Sequence, residues 1–559
     1  MIKSFLKRDG LVILLFFLLT VIITYPLIWH LSNWTQEGAD SYFITWNLAW
    51  DVHMFQKNPL AIFNANIFYP HANTLAYSEN LIGTALLAWP LIAATNNAML
   101  ANNILIFLFF IAGGYFMYRL GLYLTKNTAV SVLLGIMFGF NPYKIIHFSQ
   151  MHLQIIFFFP LVLLILHNLV KKQKNRHFVG FTLVYILLGY MSAHYFFMTL
   201  IVTAIFLITY FAVVRRAWPG KKFLIELAIS VIAIIVAILP VFYPYLQISN
   251  EVGYARSYGM VNYFSPTLVD YFAFSPLLRD WIGYPQTIEK IMYFGFTFVF
   301  LSIFSVIFMF RKFRHDSNKI NWVFVYLMIG LVCFLLSFGV LIRLAEGDKG
   351  IVGPFLILYK LIPGFDSLRA LGRFSIVMVF SSCLIIGLAL NEWFKKIKSK
   401  KTVWGIAILI GTLIFAEYLW IPPFQPVYYE EVKVAATVPE VYRWLADQSE
   451  RVIIEFPLDA GIERTAEYLY FSTFHWNKLV NGYSGFFPQD YLKLEDDLLK
   501  DFPSSNTVKE LKGMGVNYVI IHQGIDSAFT RRITPESLSS YQEMPLVQRF
   551  DDDYVYELI

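Results

Sequence analysis

The chain has 559 residues, of which 57% are hydrophobic and only 15% are charged, and its formal net charge is +6. A soluble domain carries about 25% charged residues, so this composition excludes a soluble globular protein. Long apolar runs recur along the chain and predict a multi-pass α-helical membrane protein. The excess of basic residues does not indicate binding to nucleic acid, because these residues lie in short connectors that set membrane topology.

Lys and Arg residues concentrate in the connectors between apolar runs, and in membrane proteins such connectors lie on the cytoplasmic side. Placing every basic cluster in the cytoplasm predicts about eleven transmembrane helices, with the N-terminus inside and the C-terminus outside a cell (plasma or inner) membrane. The predicted spans are 11–30, 99–118, 128–141, 153–170, 178–193, 195–213, 223–245, 291–310, 321–342, 372–394 and 403–421. The first outer loop is then 31–98, and its apolar run 81–96, interrupted by Pro90, is expected to be an interfacial helix.

The first outer loop begins with a pattern of acidic and aromatic residues. Asp40, Asn47 and Asp51 are spaced i, i+7 and i+11, so they share one face of a helix, while Trp46 and Trp50 lie on the other side. An amphipathic helix with aromatic anchors is typical of a segment at a membrane surface. A carboxylate held there could act on a lipid-linked substrate. The alternative is that Asp40 only caps the helix N-terminus.

Further polar residues in the outer loops are candidates for substrate or metal contacts. His71 and Glu79 follow in the first loop, and the predicted outer turn contains His147, Gln150 and His152. Polar residues beside a membrane are functional candidates, and imidazole with carboxylate can bind a divalent cation such as Mg²⁺ or Mn²⁺. The spacing matches no metal motif, and hydrogen bonds within the scaffold are the alternative for each residue.

Basic residues in the predicted outer loops are unusual, because positive charge is disfavoured on that side. Arg369 and Arg373 are spaced i, i+4 at the outer end of a span, Arg256 lies in the loop 246–290, and Lys144 lies in the turn 142–152. A lipid phosphate would offset their charge through charge-assisted hydrogen bonds. For the two spaced arginines, a salt bridge to Asp366 or a phospholipid headgroup is the alternative.

The composition changes near residue 425 and predicts a membrane domain, 1–425, followed by an extracytoplasmic α/β domain, 426–559. In the second domain, strands are expected at 452–457, 518–522 and 554–558, with helices at 440–448 and 508–512. A turn-rich aromatic segment there contains Trp476, Tyr483 and Phe486. These residues are candidates for binding an acceptor, and docking of the domain onto the membrane region is the alternative.

Three features together resemble the GT-C polytopic glycosyltransferases. One span is followed by a long external loop with an early acidic residue, about ten further spans follow, and an outward α/β domain ends the chain. The local sequences from Gly38 to Asp51, from Asn64 to Pro70 and at Asn141-Pro142-Tyr143 are similar to those of uncharacterised bacterial members of that superfamily.

The resemblance implies a polyprenyl-phosphate sugar donor and transfer to a glycan, lipid or protein acceptor on the outer face of the membrane. It also implies a catalytic carboxylate in the first loop, which corresponds to Asp40. Many relatives have two adjacent acidic residues there, whereas this chain has Ala39 before Asp40. A second acidic motif in the next outer loop is missing, and His147 and His152 occupy its place.

The chemistry implied by this resemblance is an inverting displacement at the anomeric carbon. Asp40 is expected to act as the general base, which typically contributes about 10²–10⁴-fold to the rate. The departing lipid phosphate needs positive charge where its negative charge develops. The candidates for that role are Lys144, Arg256, Arg369 and Arg373.

Two other classes of protein share this architecture. A transporter or lipid flippase is expected to have charged residues at mid-membrane and an internal repeat. The sequence has few charges within its apolar runs and no clear internal repeat. A non-catalytic cell-envelope assembly protein would have the same fold with an inactive site. The substitution Asp40→Asn distinguishes these classes, because a transferase should lose most of its turnover whereas an assembly protein should tolerate the change.

Overall fold

The computed structural model describes residues 2–271, 287–313, 317–419, 428–435, 437–448 and 450–559. These residues form two compact units. The first comprises the described parts of Met1–Ile28, Ile106–Ile238 and Tyr254–Tyr428, and the second comprises Trp29–Leu105, Leu239–Gly253 and Tyr429–Ile559. The predicted boundary between residues 425 and 426 lies outside the described residues, and the division into domains 1–425 and 426–559 stays a prediction.

The first 428 residues are almost entirely helical where they are described. Their longer helices are Ile2–Ile23, Ala39–Lys57, Ile82–Thr95, Ala98–Thr125, Thr128–Gly139, Phe158–Lys172, Asn175–Met191, Ala193–Thr209, Lys221–Val252, Phe296–Lys312, Ser317–Ser337, Ser375–Phe394 and Lys400–Tyr418. The shorter α-helices are Pro142–Ile146, Met151–Gln154, Tyr258–Phe264 and Phe355–Leu361. Single 3₁₀ turns include Ile288–Lys290 and Leu371–Phe374, and a small hairpin pairs Leu341–Ile342 with Ile351–Val352.

Among the described residues, seven helices are long and apolar enough to cross a membrane. They are Ala98–Thr125, Thr128–Ile146, Ala193–Arg215, Lys221–Ser249, Ile320–Ser337, Leu371–Phe394 and Lys400–Tyr418. The remaining predicted spans also fall on helices, namely Ile2–Ile23, Phe158–Lys172, Asn175–Met191 and Phe296–Lys312. The multi-pass helical fold is therefore confirmed, whereas the number of eleven crossings stays a prediction.

Exposed apolar side chains and buried glycines both fit a membrane environment in the first unit. Ile229, Ile232 and Val236 follow one stripe of a long helix and are each more than 60% exposed, as expected for side chains that face lipid. A Cβ on Gly139 would lie 2.6 Å from the Cα of Gly114, so the helix of Gly114 can approach this closely only because residue 139 is glycine.

The second unit combines the first predicted outer loop with the C-terminal segment. Its C-terminal helices are Glu440–Ala446, Ile462–Ser472, Gln489–Asp501, Ser505–Gly513, Ala528–Arg532 and Pro535–Leu538. Five strands form a mixed sheet in the order Lys478–Leu479, Val452–Phe456, Tyr518–His522, Asp553–Glu557 and Leu546–Phe550. Val452–Phe456 runs parallel to its two neighbours, Lys478–Leu479 and Tyr518–His522. Asp553–Glu557 runs antiparallel to its two neighbours, Tyr518–His522 and Leu546–Phe550. The C-terminal segment is thus α/β, as the sequence predicted.

The structure joins the first loop to the C-terminal segment through a short ladder and a buried helix. Strand Trp34–Gln36 pairs antiparallel with Tyr429–Glu431. The helix Ala39–Lys57 packs against both Ile462–Ser472 and Ile82–Thr95. The first loop is therefore built into the same core as the α/β segment.

The helix Ala39–Lys57 differs from the amphipathic surface helix that the sequence predicted, because both of its faces are buried. Trp46 is fully buried and its Nε1 donates a hydrogen bond to Asn66 Oδ1 at 3.2 Å. The Nε1 of Trp50 donates to the carbonyl oxygen of Ile62 at 2.8 Å. The two tryptophans are core residues rather than membrane anchors. The second expected interfacial helix, Ile82–Thr95, exposes Leu86 and Leu87, and its position at a membrane interface stays a prediction.

Candidate functional site

Asp40 lies in the first turn of the helix Ala39–Lys57 and is half-buried. The N-cap is Gly38, whose φ of 120° is a conformation that favours glycine, so Asp40 is not the capping residue. A carboxylate in the first turn is stabilised by the helix dipole. The hydroxyl of Tyr483 donates a hydrogen bond of 2.9 Å to Asp40 Oδ1. The structure thus brings together a candidate base and a candidate acceptor-binding residue.

Tyr483 is positioned by backbone hydrogen bonds between the C-terminal segment and the first loop. The amide of Phe68 donates to the carbonyl oxygen of Asn481 at 3.1 Å, and the amide of Tyr69 donates to that of Leu479 at 2.9 Å. The side chain of Asn481 in turn bonds to the backbone of Glu455 in the sheet. The ring of Phe43, one turn after Asp40, meets Tyr483 edge-on with centroids 5.6 Å apart. The phenol is therefore held from three sides.

Asp51 and Asn47 lie one turn apart and are both fully buried. Among the described residues, neither the carboxyl oxygens of Asp51 nor the amide of Asn47 has a hydrogen-bond partner. Burial raises the pKa of Asp51 well above its ordinary value. The three polar residues predicted to share a helix face therefore separate into one half-buried carboxylate, Asp40, and two buried groups.

A cavity of about 410 Å³ opens beside the other end of the same helix. The rings of His53 and Trp476 stack there with centroids 4.1 Å apart, and Trp476 has a φ of 56°, which is rare for a bulky residue. Amide side chains of Gln56 and Asn96 also line this cavity. Burial and the charge of Lys57 lower the pKa of His53. An aromatic stack bordered by amides can hold a sugar ring.

The other predicted residues of the second unit are His71, Glu79 and Phe486. His71 Nε2 lies 3.3 Å from the exposed Asp490 Oδ2, which makes it part of a surface pair. Glu79 and Phe486 are half-buried. These three residues stay candidates without a role that the geometry singles out.

A polar cluster in the first unit is centred on Glu289, which the sequence analysis did not single out. Arg373 donates to both carboxylate oxygens of Glu289, at 3.1 Å from Nε and 2.5 Å from Nη2. His147 Nε2 lies 3.9 Å from the same carboxylate, and His147 Nδ1 lies 2.9 Å from Gln150 Oε1. The partner of Arg373 is therefore Glu289 and not Asp366.

The electrostatics of this cluster lower the pKa of the Glu289 carboxyl group and that of the His152 imidazole. Burial alone would raise the pKa of Glu289, but the charges of Arg373 and His147 and the hydrogen bond from Arg373 lower it below its usual value. Burial, together with the charge of Arg373, lowers the pKa of His152 to about 3. The only sequence signal for Glu289 was an acidic residue in a predicted outer loop.

Arg256 and Arg369 form a second basic feature of the first unit. Burial and the nearby charge of Arg369 lower the pKa of Arg256 to about 10, so two like charges repel one another here. Arg369 is exposed, lies over the ring of Phe264 at 4.8 Å and shows no ion pair with any described carboxylate. An anion bound at both guanidinium groups would relieve this repulsion.

Lys144 lies in the first unit and is fully buried. Its Nζ has no hydrogen-bond partner among the described residues and lies 3.8 Å from the ring centroid of Phe110. The aromatic face stabilises the ammonium group through a cation–π contact. Lys144 as a phosphate ligand stays a prediction.

The predicted site residues divide between the two units. Those of the second unit are Asp40, Asp51, His71, Glu79, Trp476, Tyr483 and Phe486, and those of the first are Lys144, His147, Gln150, His152, Arg256, Arg369 and Arg373. The described parts of the chain contain no group of three or more His, Cys, Asp or Glu side chains that could hold a metal ion. Binding of a divalent cation stays a prediction.

The fold is similar to that of known membrane glycosyltransferases. The cryo-EM structure of the arabinofuranosyltransferase AftD from Mycobacteria matches with a TM-score of 0.59 and 13% identity, over 99% of this chain and 40% of that chain. A mutant of AftD gives a TM-score of 0.62 at 12% identity, over 99% and 41%. The apo oligosaccharyltransferase from Archaeoglobus fulgidus gives 0.48 at 11% identity, over 92% and 70%.

This chain spans about two fifths of the length of AftD, whose structural similarity confirms the GT-C fold that the sequence resemblance predicted. No curated protein matches the sequence significantly. Residues 10–415 match the model of a family described as a domain of unknown function, DUF6311. Since that match covers most of the sequence, the chain belongs to the DUF6311 family.

Proposed function

We propose that this protein is a membrane glycosyltransferase that moves a sugar from a polyprenyl-phosphate donor to a glycan, lipid or protein acceptor. The observation that carries the proposal is the carboxylate of Asp40, held in the first turn of a buried helix by the hydroxyl of Tyr483. The GT-C fold supports the same class of reaction. The proposed orientation has the N-terminus in the cytoplasm and transfer on the outer face of the cell membrane.

In the proposed reaction, Asp40 is the general base. Its carboxylate takes the proton from the acceptor hydroxyl while that oxygen forms a bond to the anomeric carbon of the donor sugar. The bond between the anomeric carbon and the lipid phosphate oxygen breaks, and the phosphate leaves with the electron pair. Because no covalent intermediate forms, the configuration at the anomeric carbon inverts. Tyr483 keeps the carboxylate oriented for this step.

The departing phosphate is assigned to Arg256 and Arg369. These two guanidinium groups repel one another, and Arg369 is exposed without an ion pair among the described residues. Charge-assisted hydrogen bonds from arginine suit a phosphate, and they strengthen as negative charge develops on the leaving group. Arg373 is less suited to this role, because its guanidinium already forms a two-pronged pair with Glu289.

The acceptor is assigned to the aromatic residues of the second unit. Tyr483 lies against Asp40, and Trp476 borders the cavity of about 410 Å³ with His53. Sugar rings pack on aromatic faces while amides bind their hydroxyl groups. The distance along the helix from Asp40 to His53 is thirteen residues, or about 20 Å at 1.5 Å per residue. A glycan acceptor of several units could therefore contact both regions.

The proposal is tested by turnover of a donor panel. The purified protein in lipid nanodiscs is given polyprenyl-phosphate-linked hexoses and pentoses, and release of free polyprenyl phosphate is measured with candidate glycan acceptors. We expect release with one class of donor sugar. Parallel reactions with EDTA, Mg²⁺ or Mn²⁺ test the predicted cation. Absence of release across the whole panel, under every condition, would favour a flippase or an assembly protein.

A further inference from the structure

A cavity of about 260 Å³ lies in the first unit, between the ends of five helices. Its polar and aromatic lining is Tyr123, His167, Lys171, Trp322, Tyr326, Asn391, Glu392 and Lys395, and three apolar side chains, Leu124, Met309 and Leu388, complete the wall. All five helices carry lysine or arginine near this end, in the connectors that the sequence places in the cytoplasm. None of the residues assigned to sugar transfer lines this cavity.

The charge of the cavity is positive. The carboxylate of Glu392 is paired with both Lys312, at 3.0 Å, and Lys395, at 2.6 Å. Lys171 has no ion pair with any carboxylate that the structure describes. Its Nζ lies 5.2 Å from the ring centroid of Tyr123 and 5.8 Å from that of Trp322. Two ammonium groups therefore share one carboxylate, and the charge of Lys171 is not compensated by any described carboxylate, so an anion in the cavity would be attracted.

A buried hydrogen-bonding group also lines the cavity. His167 is fully buried, and its Nε2 lies 3.0 Å from the hydroxyl of Tyr326. Its Nδ1 has no hydrogen-bond partner among the described residues. A buried polar nitrogen without a partner lowers stability, so a ligand oxygen within reach of His167 would be stabilising. In the tautomer protonated at Nδ1, the imidazole can donate to such an oxygen.

We propose that this cavity binds the phosphate of an anionic phospholipid headgroup. Lysines supply the charge, His167 supplies a neutral donor, and the apolar part of the wall accommodates the glycerol and the start of the acyl chains. Tyrosine and tryptophan side chains favour this headgroup level of a membrane, and basic pockets between transmembrane helices bind anionic lipids. A free phosphate compound shares the anionic chemistry but makes no use of the apolar wall.

The consequence for the fold is that one lipid would connect five helix ends. Its phosphate would join Lys171 of Phe158–Lys172 to Lys395, which directly follows the helix Ser375–Phe394. Binding of a ligand to the folded state alone stabilises that state by mass action. The bound lipid would thus raise the melting temperature of the protein whether or not the protein transfers sugar.

The test uses the full-length protein, delipidated in a neutral detergent, and native mass spectrometry to count bound molecules and measure their affinity. The probes are phosphatidylglycerol, phosphatidylcholine and inorganic phosphate. We expect phosphatidylglycerol to bind more tightly than phosphatidylcholine. We expect Lys171→Gln to weaken phosphatidylglycerol binding about fivefold, the effect of one lysine near a membrane surface.

The control is Lys172→Gln, because Lys172 is the exposed neighbour of Lys171 and does not line the cavity. This variant should change the affinity less than twofold, while the melting-temperature increase caused by phosphatidylglycerol should be smaller only in Lys171→Gln. Equal binding of the two lipids, or equal effects of the two substitutions, would overturn the proposal. If inorganic phosphate binds as tightly as phosphatidylglycerol, the cavity is a site for a free phosphate compound and the proposal of a lipid ligand is wrong.

Discussion

Tyr483 donates a 2.9 Å hydrogen bond to Asp40, although the two residues are 443 positions apart in the sequence. The contact connects the first predicted outer loop to the C-terminal α/β segment. Such a bond to a carboxylate is stronger than one between neutral groups, and it fixes the direction of the acceptor oxygen. In the proposed mechanism, the C-terminal segment therefore positions the catalytic base.

Tyr483→Phe should lower turnover by between about tenfold and about 150-fold while leaving the fold intact. The substitution removes one hydroxyl that bonds to a charged group, a loss of about 1.5–3 kcal/mol if the full effect is expressed in the transition state. The measurement is kcat with the active donor, together with the melting temperature. Tyr541→Phe, at an exposed tyrosine, is the matched control. Equal turnover by wild type and Tyr483→Phe would show that this hydrogen bond does not position the base.

The pair of Arg373 and Glu289 should be structural rather than a ligand for the donor phosphate. Arg373→Met leaves a buried carboxylate without its partner and should destabilise the protein by about 3–5 kcal/mol. Glu289→Gln should also destabilise it. Combining Arg373→Met with Glu289→Met should recover most of the lost stability, as thermal unfolding in detergent can show. If the double variant is stable but has lost donor binding, Arg373 contacts the donor after all.

Trp476→Ala should weaken acceptor binding without affecting the donor. Trp476 stacks on His53 at the mouth of a cavity, and buried tryptophans often dominate the energy of an interface. We expect the KM for the acceptor to rise at least about fivefold, with the KM for the donor unchanged. Trp218→Ala, at an exposed tryptophan, is the control. A rise in both KM values would instead indicate general disturbance of the second unit.

The buried pair of His522 and Glu455 should make stability depend on pH. Burial alone would lower the pKa of His522, but hydrogen bonds to Asp553 at 2.7 Å and Glu455 at 3.0 Å raise it to about 9, above the ordinary 6.5. Because the folded state prefers the protonated imidazole, its stabilisation is complete below pH 6.5 and is lost as the pH rises through about 9.

Melting temperatures between pH 6 and pH 10 measure this effect. The wild type should melt at progressively lower temperature as the pH rises from about 6.5 to about 9. His522→Gln should melt at lower temperature at pH 6, and its melting temperature should change less over the same range. A wild-type profile that is flat between these limits would contradict a protonated His522 in the folded protein.

Composition and basic clusters were sufficient to predict the helical membrane fold, because burial in lipid requires long apolar runs with charges at their ends. Local patterns also located the strands Val452–Phe456 and Tyr518–His522. The burial of the helix Ala39–Lys57 could not be predicted, since one helix that packs against it, Ile462–Ser472, lies some four hundred residues later.

The candidate site was predicted only in part for the same reason. Asp40 stood out through its position after the first span, and Tyr483 through an aromatic turn, but nothing local indicated that they touch. For Arg373 the sequence suggested a lipid phosphate, Asp366 or a headgroup as the partner, whereas the structure pairs it with Glu289, 84 residues away. Partners that are distant in sequence leave no local pattern.

The most direct test of Asp40 as the general base is donor turnover by Asp40→Asn. The wild type and the variant are compared in nanodiscs with the active polyprenyl-phosphate sugar, and donor binding is measured in parallel. Asp447→Asn, at an exposed aspartate of the same unit, is the control. If Asp40 is the general base, Asp40→Asn should keep donor binding but lose about 10²–10⁴-fold in turnover, the contribution of a general base. Turnover equal to that of the wild type would contradict Asp40 as the catalytic base.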